Sequence, residues 1–316
     1  MMKPPQIEGF DILGLLGQGG MATVWKARQR SLDRLVAIKV LAPSFAVDPE
    51  EIQRFCDEAR AAANLSHKGI VQVYDATFAN GLYFVMELID GYTMGQWQRR
   101  KGTIPLADTL IVAENVATAL DYAWSQHKMI HCDIKPDNIM VDADGTVKVA
   151  DLGLSQTHTA RGAQSDEILG TPHYMPPEQI QGEALDCRSD IYALGASLYH
   201  MVTGRLLFDG DPNDVMVAHL EQSAPSVRQF VPDVPVNVAL LFEKMLSKFP
   251  QDRQQDWKQV LSDLQKVERG LPPAGVNPVC VSSMGRDAET ETLARSLGRR
   301  IVWKRPCKKR YILRGR

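Results

Sequence analysis

The chain has 316 residues, 44% hydrophobic and 23% charged, enough for one large two-lobed globular unit with a full core. Its five cysteines (56, 132, 187, 280 and 307) show no CxxC pair or zinc-finger spacing, which argues against a disulfide scaffold and for reduced thiols in a cytoplasmic setting. The N-terminal MMKPPQIEGF has no apolar signal-peptide region, and no apolar run approaches the roughly 18–20 residues that cross a bilayer, so neither feature is expected.

Phe10 to Leu16 is a short β-type run, followed by Gly17-Gln18-Gly19-Gly20-Met21-Ala22. This string fits G-x-G-x-x-G/A, which a dinucleotide site would also satisfy, but that version must open a helix. Here the β-prone stretches 23–28 and 35–40 follow, with a turn near Leu32-Asp33-Arg34, so an antiparallel meander is expected. Its glycines let backbone N–H groups cover phosphates; a plain flexible hairpin is the bland alternative. Lys39 stands alone in an apolar strand, where a buried ammonium needs an anion. Residues 51–65 read as a helix with Ile52, Phe55, Ala59, Ala62 and Leu65 on one stripe, and Glu58 beside it can face the sheet. Strands are expected at 70–77 and 82–87, and Gly91 signals a connection. The character then turns helical, with helices expected at 106–126, 188–203, 213–222, 236–248 and 256–268.

The stretch His131-Cys132-Asp133-Ile134-Lys135-Pro136-Asp137-Asn138 places an acid, a cation and an amide close together, and a β-prone run then leads to Asp151. These are the parts that phosphoryl transfer needs: a group to receive a hydroxyl proton, a cation for the phosphate and oxygen ligands for Mg²⁺. In order, the glycine turn 17–22, Val36-Ala37-Ile38-Lys39, Glu58, the 131–138 stretch, Asp151-Leu152-Gly153, Gly170-Thr171-Pro172, Pro177-Glu178, Asp190 and Arg253 resemble the protein kinase superfamily. The likeness covers about residues 8–269 and is nearest to eukaryotic-like Ser/Thr kinases of bacterial type.

That resemblance implies an α+β, bilobal protein-kinase fold: a small antiparallel lobe (10–88) with one key helix, and a larger helical lobe (91–269). Residues 1–9 would be a lead-in and 270–316 a flexible basic tail. It implies a kinase using ATP and Mg²⁺ to phosphorylate Ser or Thr hydroxyls of protein substrates, with autophosphorylation. Gly17, Gly19 and Gly20 would fold over ATP, and Lys39 would pair with its phosphates and with Glu58. Backbone groups of Glu87 and Ile89 would bond adenine behind the gatekeeper Met86, between Val24, Ala37 and Met140. Asp133 would orient the acceptor hydroxyl, Lys135 would neutralise the transferring phosphate, and Asn138 and Asp151 would hold Mg²⁺. By the same likeness, Glu178 and Arg253 would anchor the end of the activation segment, Asp190 would hold the catalytic-loop backbone, and Thr171 would bridge Asp133 and Lys135.

Four positions depart from the pattern: Ala22 for the last loop glycine, Leu152 for Phe, Pro176 for Ala, and Cys132 where an Arg usually precedes the catalytic Asp. That Arg normally meets a phosphate on the activation loop. Its absence predicts weak dependence on loop phosphorylation, although Ser155, Thr157, Thr159 and Ser165 offer hydroxyls. Cys132 is expected to be a buried, inert thiol, with a redox switch as the rival reading. After residue 270 there are eleven Lys or Arg against three acids, a net +8, which leaves −10 for the preceding residues. The tail is either solvated or a basic amphipathic segment for an anionic membrane surface or nucleic acid. Input through partners or a homodimer is the remaining expectation.

Overall fold

The computed structural model describes residues 3–78, 82–152 and 172–276. Strands β1 (Phe10–Gln18), β2 (Ala22–Gln29), β3 (Arg34–Leu41), β4 (Val73–Thr77) and β5 (Tyr83–Glu87) form one antiparallel sheet in the order β1-β2-β3-β5-β4. Alternation along β3 divides its side chains between two small cores. Val36 and Ile38 join Ala27 and Val85 on the outer face, and Leu41 joins Phe55, Ala59, Ala62 and Phe84 beneath helix α1 (Pro49–Ala63). Asp48 starts that helix by accepting the Glu50 N–H at 2.9 Å, with Pro49 in the first turn and Glu50 and Glu51 suiting its positive end. The helix thereby delivers Glu58, 3% exposed, to the β3 side of the sheet.

The second lobe packs around helix α5 (Cys187–Thr203), whose residues are buried almost throughout. Around it stand α2 (Met94–Lys101), α3 (Leu106–His127), the short α4 (Pro177–Ile180), α6 (Pro212–Glu221), α7 (Val236–Met245) and α8 (Trp257–Glu268). A three-stranded sheet of β6 (Tyr92–Thr93), β7 (Ile139–Val141) and β8 (Val147–Val149) carries the catalytic-type stretch on its edge. Gly91 sits where the chain enters this lobe, and a Cβ there would lie 1.8 Å from the Val141 carbonyl oxygen. Only glycine fits that crossing.

The α+β bilobal expectation holds, with local corrections. The strand expected from 70 begins at Val73; Ile70 makes only a single parallel bridge to Val149. Helix α2 was not expected, although Thr93 and Gln96 form a capping box. The expected linker after Gly270 is docked at its start: Pro273 is buried, and the Ala274 N–H donates to Asp263 at 2.8 Å. The packed unit therefore runs past residue 269. Residues 277–316, with all eleven Lys and Arg of the expected basic tail, lie outside the described residues. So do Gly153, Ser155, Thr157, Thr159, Ser165, Gly170 and Thr171. Among the described residues no helix is long and apolar enough to cross a membrane.

Candidate active site

A cleft of about 810 Å³ between the lobes is lined by Gly17, Gly19, Gly20, Val24, Lys39, Glu58, Cys132, Asp133, Lys135, Asn138 and Asp151, among others. Residues far apart in sequence meet there. On β3, Lys39 Nζ donates to Glu58 Oε1 at 2.6 Å and to Asp151 Oδ1 at 3.1 Å, so one ammonium joins helix α1, the sheet and the end of the β8 segment. Burial alone would lower the Lys39 pKa, but the adjacent Asp151 and Glu58 carboxylates outweigh it and hold the value above that of an ordinary lysine. Burial also works against ionised Asp151, yet Lys39 keeps that carboxyl below its usual range. For Glu58 desolvation wins, and its pKa is raised despite the same partner. Lys39, held between Glu58 and Asp151, is therefore the centre around which the cleft is built.

Across the cleft, Lys135 Nζ donates to Asp133 Oδ2 at 2.7 Å. The Asn138 amide nitrogen donates to the Asp133 carbonyl at 2.8 Å and to Oδ2 at 3.0 Å. These bonds fix the Asn138 amide so that its oxygen is the atom presented to a cation. Beneath, Asp190 at the start of α5 accepts the His131 N–H at 2.7 Å and the Cys132 N–H at 2.8 Å. Burial raises its pKa to about 6, although His131 and the two N–H groups oppose the shift. Both Cys132 (φ +60°) and Asp151 (φ +58°) have left-handed backbone, which non-glycine residues adopt sparingly. Cys132 is also only half-buried and lines the cleft, so the expectation of a buried thiol is corrected. Its backbone is turned to feed both N–H groups to Asp190, and that turn leaves the side chain at the cleft wall.

The glycine turn can be tested as a phosphate cradle. Its tip closes through Gly19 N–H to the Ala22 carbonyl at 2.9 Å. Neither packing nor a positive φ demands glycine here: a Cβ at Gly17 or Gly20 meets nothing within 4 Å, and at Gly19 only the Ala22 carbonyl at 3.5 Å. The space left open faces the cleft, which fits a bound group. Among the described residues no cluster of three or more His, Cys, Asp or Glu could hold a metal. The two oxygen donors of Asn138 and Asp151 suit Mg²⁺, which takes one or two protein ligands and completes its shell with phosphate and water.

The residues expected on the adenine side are less fully assembled. Val24 pairs in register with Lys39 and lines the cleft, and Ala37 is paired with Met86, the expected gatekeeper. Ala37, Glu87, Ile89 and Met140 lie outside that cleft's lining. The Glu87 carboxylate instead accepts from Lys148 on β8 at 3.0 Å, bracing the inter-lobe connection. Sequence reasoning missed this pair, and also Arg99, which donates to Asp137 at 2.9 Å. Nothing local marks either partnership, since each spans tens of residues. Arg253 and Glu178 form the expected pair at 2.7 and 2.9 Å.

Comparison with known proteins agrees with this geometry. A serine/threonine-protein kinase of Bacillus subtilis, PrkC, is 36% identical over 269 residues, covering 84% of this chain and 41% of that protein. PknB of Mycobacterium tuberculosis is 37% identical over 275 residues, 84% of this chain and 44% of that protein. A probable serine/threonine-protein kinase of Clostridium perfringens is 37% identical over 265 residues, 82% of this chain and 38% of that protein. The chain thus spans about two fifths of the length of these relatives. Among solved structures, the kinase domain of M. tuberculosis PknI superposes with a TM-score of 0.67 at 26% identity, covering 84% of this chain and 98% of that one. Residues 10–264 match the family described as protein kinase domain, over the two lobes and the cleft described above, and the chain belongs to that family.

Proposed function

We propose that this chain transfers the γ-phosphoryl group of ATP, as its Mg²⁺ complex, to Ser or Thr hydroxyls of protein substrates. Use of ATP and a divalent metal is general in the family; the choice of Mg²⁺ rests on the oxygen donors of Asn138 and Asp151. The observation that carries the reading is the Lys39 ammonium held by Glu58 and Asp151 together, at 2.6 and 3.1 Å, within one cleft with Asp133, Lys135 and Asn138. In this arrangement the cation assigned to the phosphates is already positioned by two carboxylates.

In this scheme Lys39 and the glycine turn hold the phosphates, and a bound Mg²⁺ would neutralise charge on them. Asp133 orients the acceptor hydroxyl and takes its proton, while Lys135, already 2.7 Å from Asp133, offsets the charge of the phosphoryl group in transit. Lys135 two residues after Asp133 is the feature that favours Ser and Thr over Tyr.

Labelled-ATP transfer to the protein itself and to Ser, Thr and Tyr peptides tests this, with Asp151→Ala as the control. The expected result is Mg²⁺-dependent label on Ser or Thr that falls by about 10²–10³-fold in the variant. Equal transfer by both proteins, or label confined to Tyr, would overturn the proposal.

A further inference from the structure

We propose that Arg99 and Asp137 form a charge-selecting subsite for the peptide beside the phosphoacceptor, one that admits acidic side chains and rejects basic ones. The inference rests on the kinase reading above and adds to it the class of substrate sequence.

Four carboxylates line the cleft among its described residues: Glu58, Asp133, Asp137 and Asp151. Three belong to the reacting centre. Asp137 stands outside it, in the short turn Pro136–Asn138 that also fixes Asn138, and so keeps a set position relative to Asp133. Left alone, a half-exposed carboxylate at this entrance would attract Lys or Arg of an incoming peptide. Arg99, in the last turn of α2, prevents this. Its Nη2 donates to Asp137 Oδ1 at 2.9 Å and its Nη1 to Oδ2 at 3.3 Å, a forked pair with side chains 63% and 48% exposed.

The pair is built into the local backbone. Asp137 lies directly against Gly95, where an added Cβ would come within 2.3 Å of Oδ1, so the carboxylate occupies a slot that only glycine leaves open. The negative end of α2 favours the cations of its last turn, Arg99, Arg100 and Lys101. Gln96, Tyr174, Met175 and Gln179 complete the same entrance. Among the described residues, Arg99 therefore satisfies Asp137 on one side and retains its Nε donor, with its side chain 63% exposed, for a substrate carboxylate. A basic substrate residue would meet a carboxylate already neutralised and a guanidinium of like charge. Exposed pairs of this kind are worth up to about fivefold in an equilibrium, enough to rank substrates without fixing one sequence.

The test is kcat/KM on matched peptides carrying Glu, Ala or Arg at each position flanking one acceptor, for wild type, Arg99→Ala, Arg99→Lys and the double variant Arg99→Ala/Asp137→Asn. Ratios within each enzyme cancel any general loss of activity. Wild type is expected to prefer Glu over Arg at one or more flanking positions. Arg99→Ala should move that ratio toward Arg by up to about fivefold. Arg99→Lys should largely restore it, and the double variant should lose the gain for Arg. An unchanged ranking in Arg99→Ala, or a gain for Arg that survives loss of the Asp137 charge, would overturn the subsite. Wild type that phosphorylates no peptide at all would instead overturn the kinase reading on which it rests.

Discussion

Two buried ion pairs in this molecule use similar chemistry and end in opposite conditions. Arg253, 0% exposed, directs its five N–H groups at five acceptor contacts: both Glu178 oxygens and the carbonyls of Ser247, Arg188 and Lys248, at 2.7–2.9 Å. Ser189 adds a hydrogen bond to Glu178 at 2.7 Å, and the Tyr192 ring lies 4.8 Å beneath the guanidinium. Among the described residues, Lys39 spends two of its three N–H groups on Glu58 and Asp151, and its pair faces the open cleft. A saturated pair has nothing further to offer and holds the chain in place. An unsaturated pair beside a cavity retains capacity for a ligand. That difference separates structural from functional charge here better than burial does.

Removing either cation should reveal the contrast. Arg253→Ala leaves Glu178 buried without its partner, which should cost about 3–5 kcal/mol of stability by denaturant unfolding. Replacing both partners by apolar residues of similar volume should recover much of that loss; failure to recover would mean that Arg253 acts chiefly through its three carbonyl contacts. Lys39→Met should do the reverse, lowering phosphoryl transfer about 10²–10³-fold while moving the unfolding midpoint little. A large stability loss in Lys39→Met would erase the distinction. The smallest effect is expected from pH. With the Asp190 pKa at about 6, its carboxylate protonates below that pH and releases one of the two catalytic-loop N–H groups. Activity should fall about tenfold between pH 7.5 and 5. The Asp190 contribution to stability runs the other way: a carboxyl whose folded pKa is raised stabilises fully below its unfolded value and loses that contribution as pH rises through about 6. Asp190→Asn, compared with wild type across this range, should flatten both trends.

Much of the fold was legible because long elements carry strong periodic patterns. Helices α3, α5 and α8 lie within a few residues of expectation, as do the strands flanking the glycine turn. The β-prone run before Asp151 was read, but not its division into β7 and β8 or their pairing with β6, since these strands have only two or three residues each and cannot show alternation. Helix α2 escaped because it has only eight residues and most of them are polar, even though Thr93-Met94-Gly95-Gln96 carries a capping signal. In the site, Lys39, Glu58 and Asp151 could be matched as motifs, and their distances follow from the fold. Arg99 could not be matched. Its partner is 38 residues away, and both the contact and the fit of Asp137 over Gly95 exist only once α2 crosses the 131–138 stretch. The backbone twist at Cys132 was equally invisible, because a positive φ at a non-glycine residue leaves no compositional trace.

Asp263 gives the folded unit a definite exit. Buried in α8, it receives Lys244 at 3.0 Å, Gln254 at 3.2 Å, Lys266 at 3.3 Å and the Ala274 N–H at 2.8 Å, while Lys244 also reaches the Ala274 carbonyl at 2.7 Å. The chain is thus clasped six residues after α8 has ended. A version cut at Glu268 would lose the clasp and leave Asp263 partly unpaired; one cut at Val276 would keep it. The stretch around Ala274 is thus part of the helical lobe, held against its α7–α8 face by both a donor and an acceptor of its own backbone.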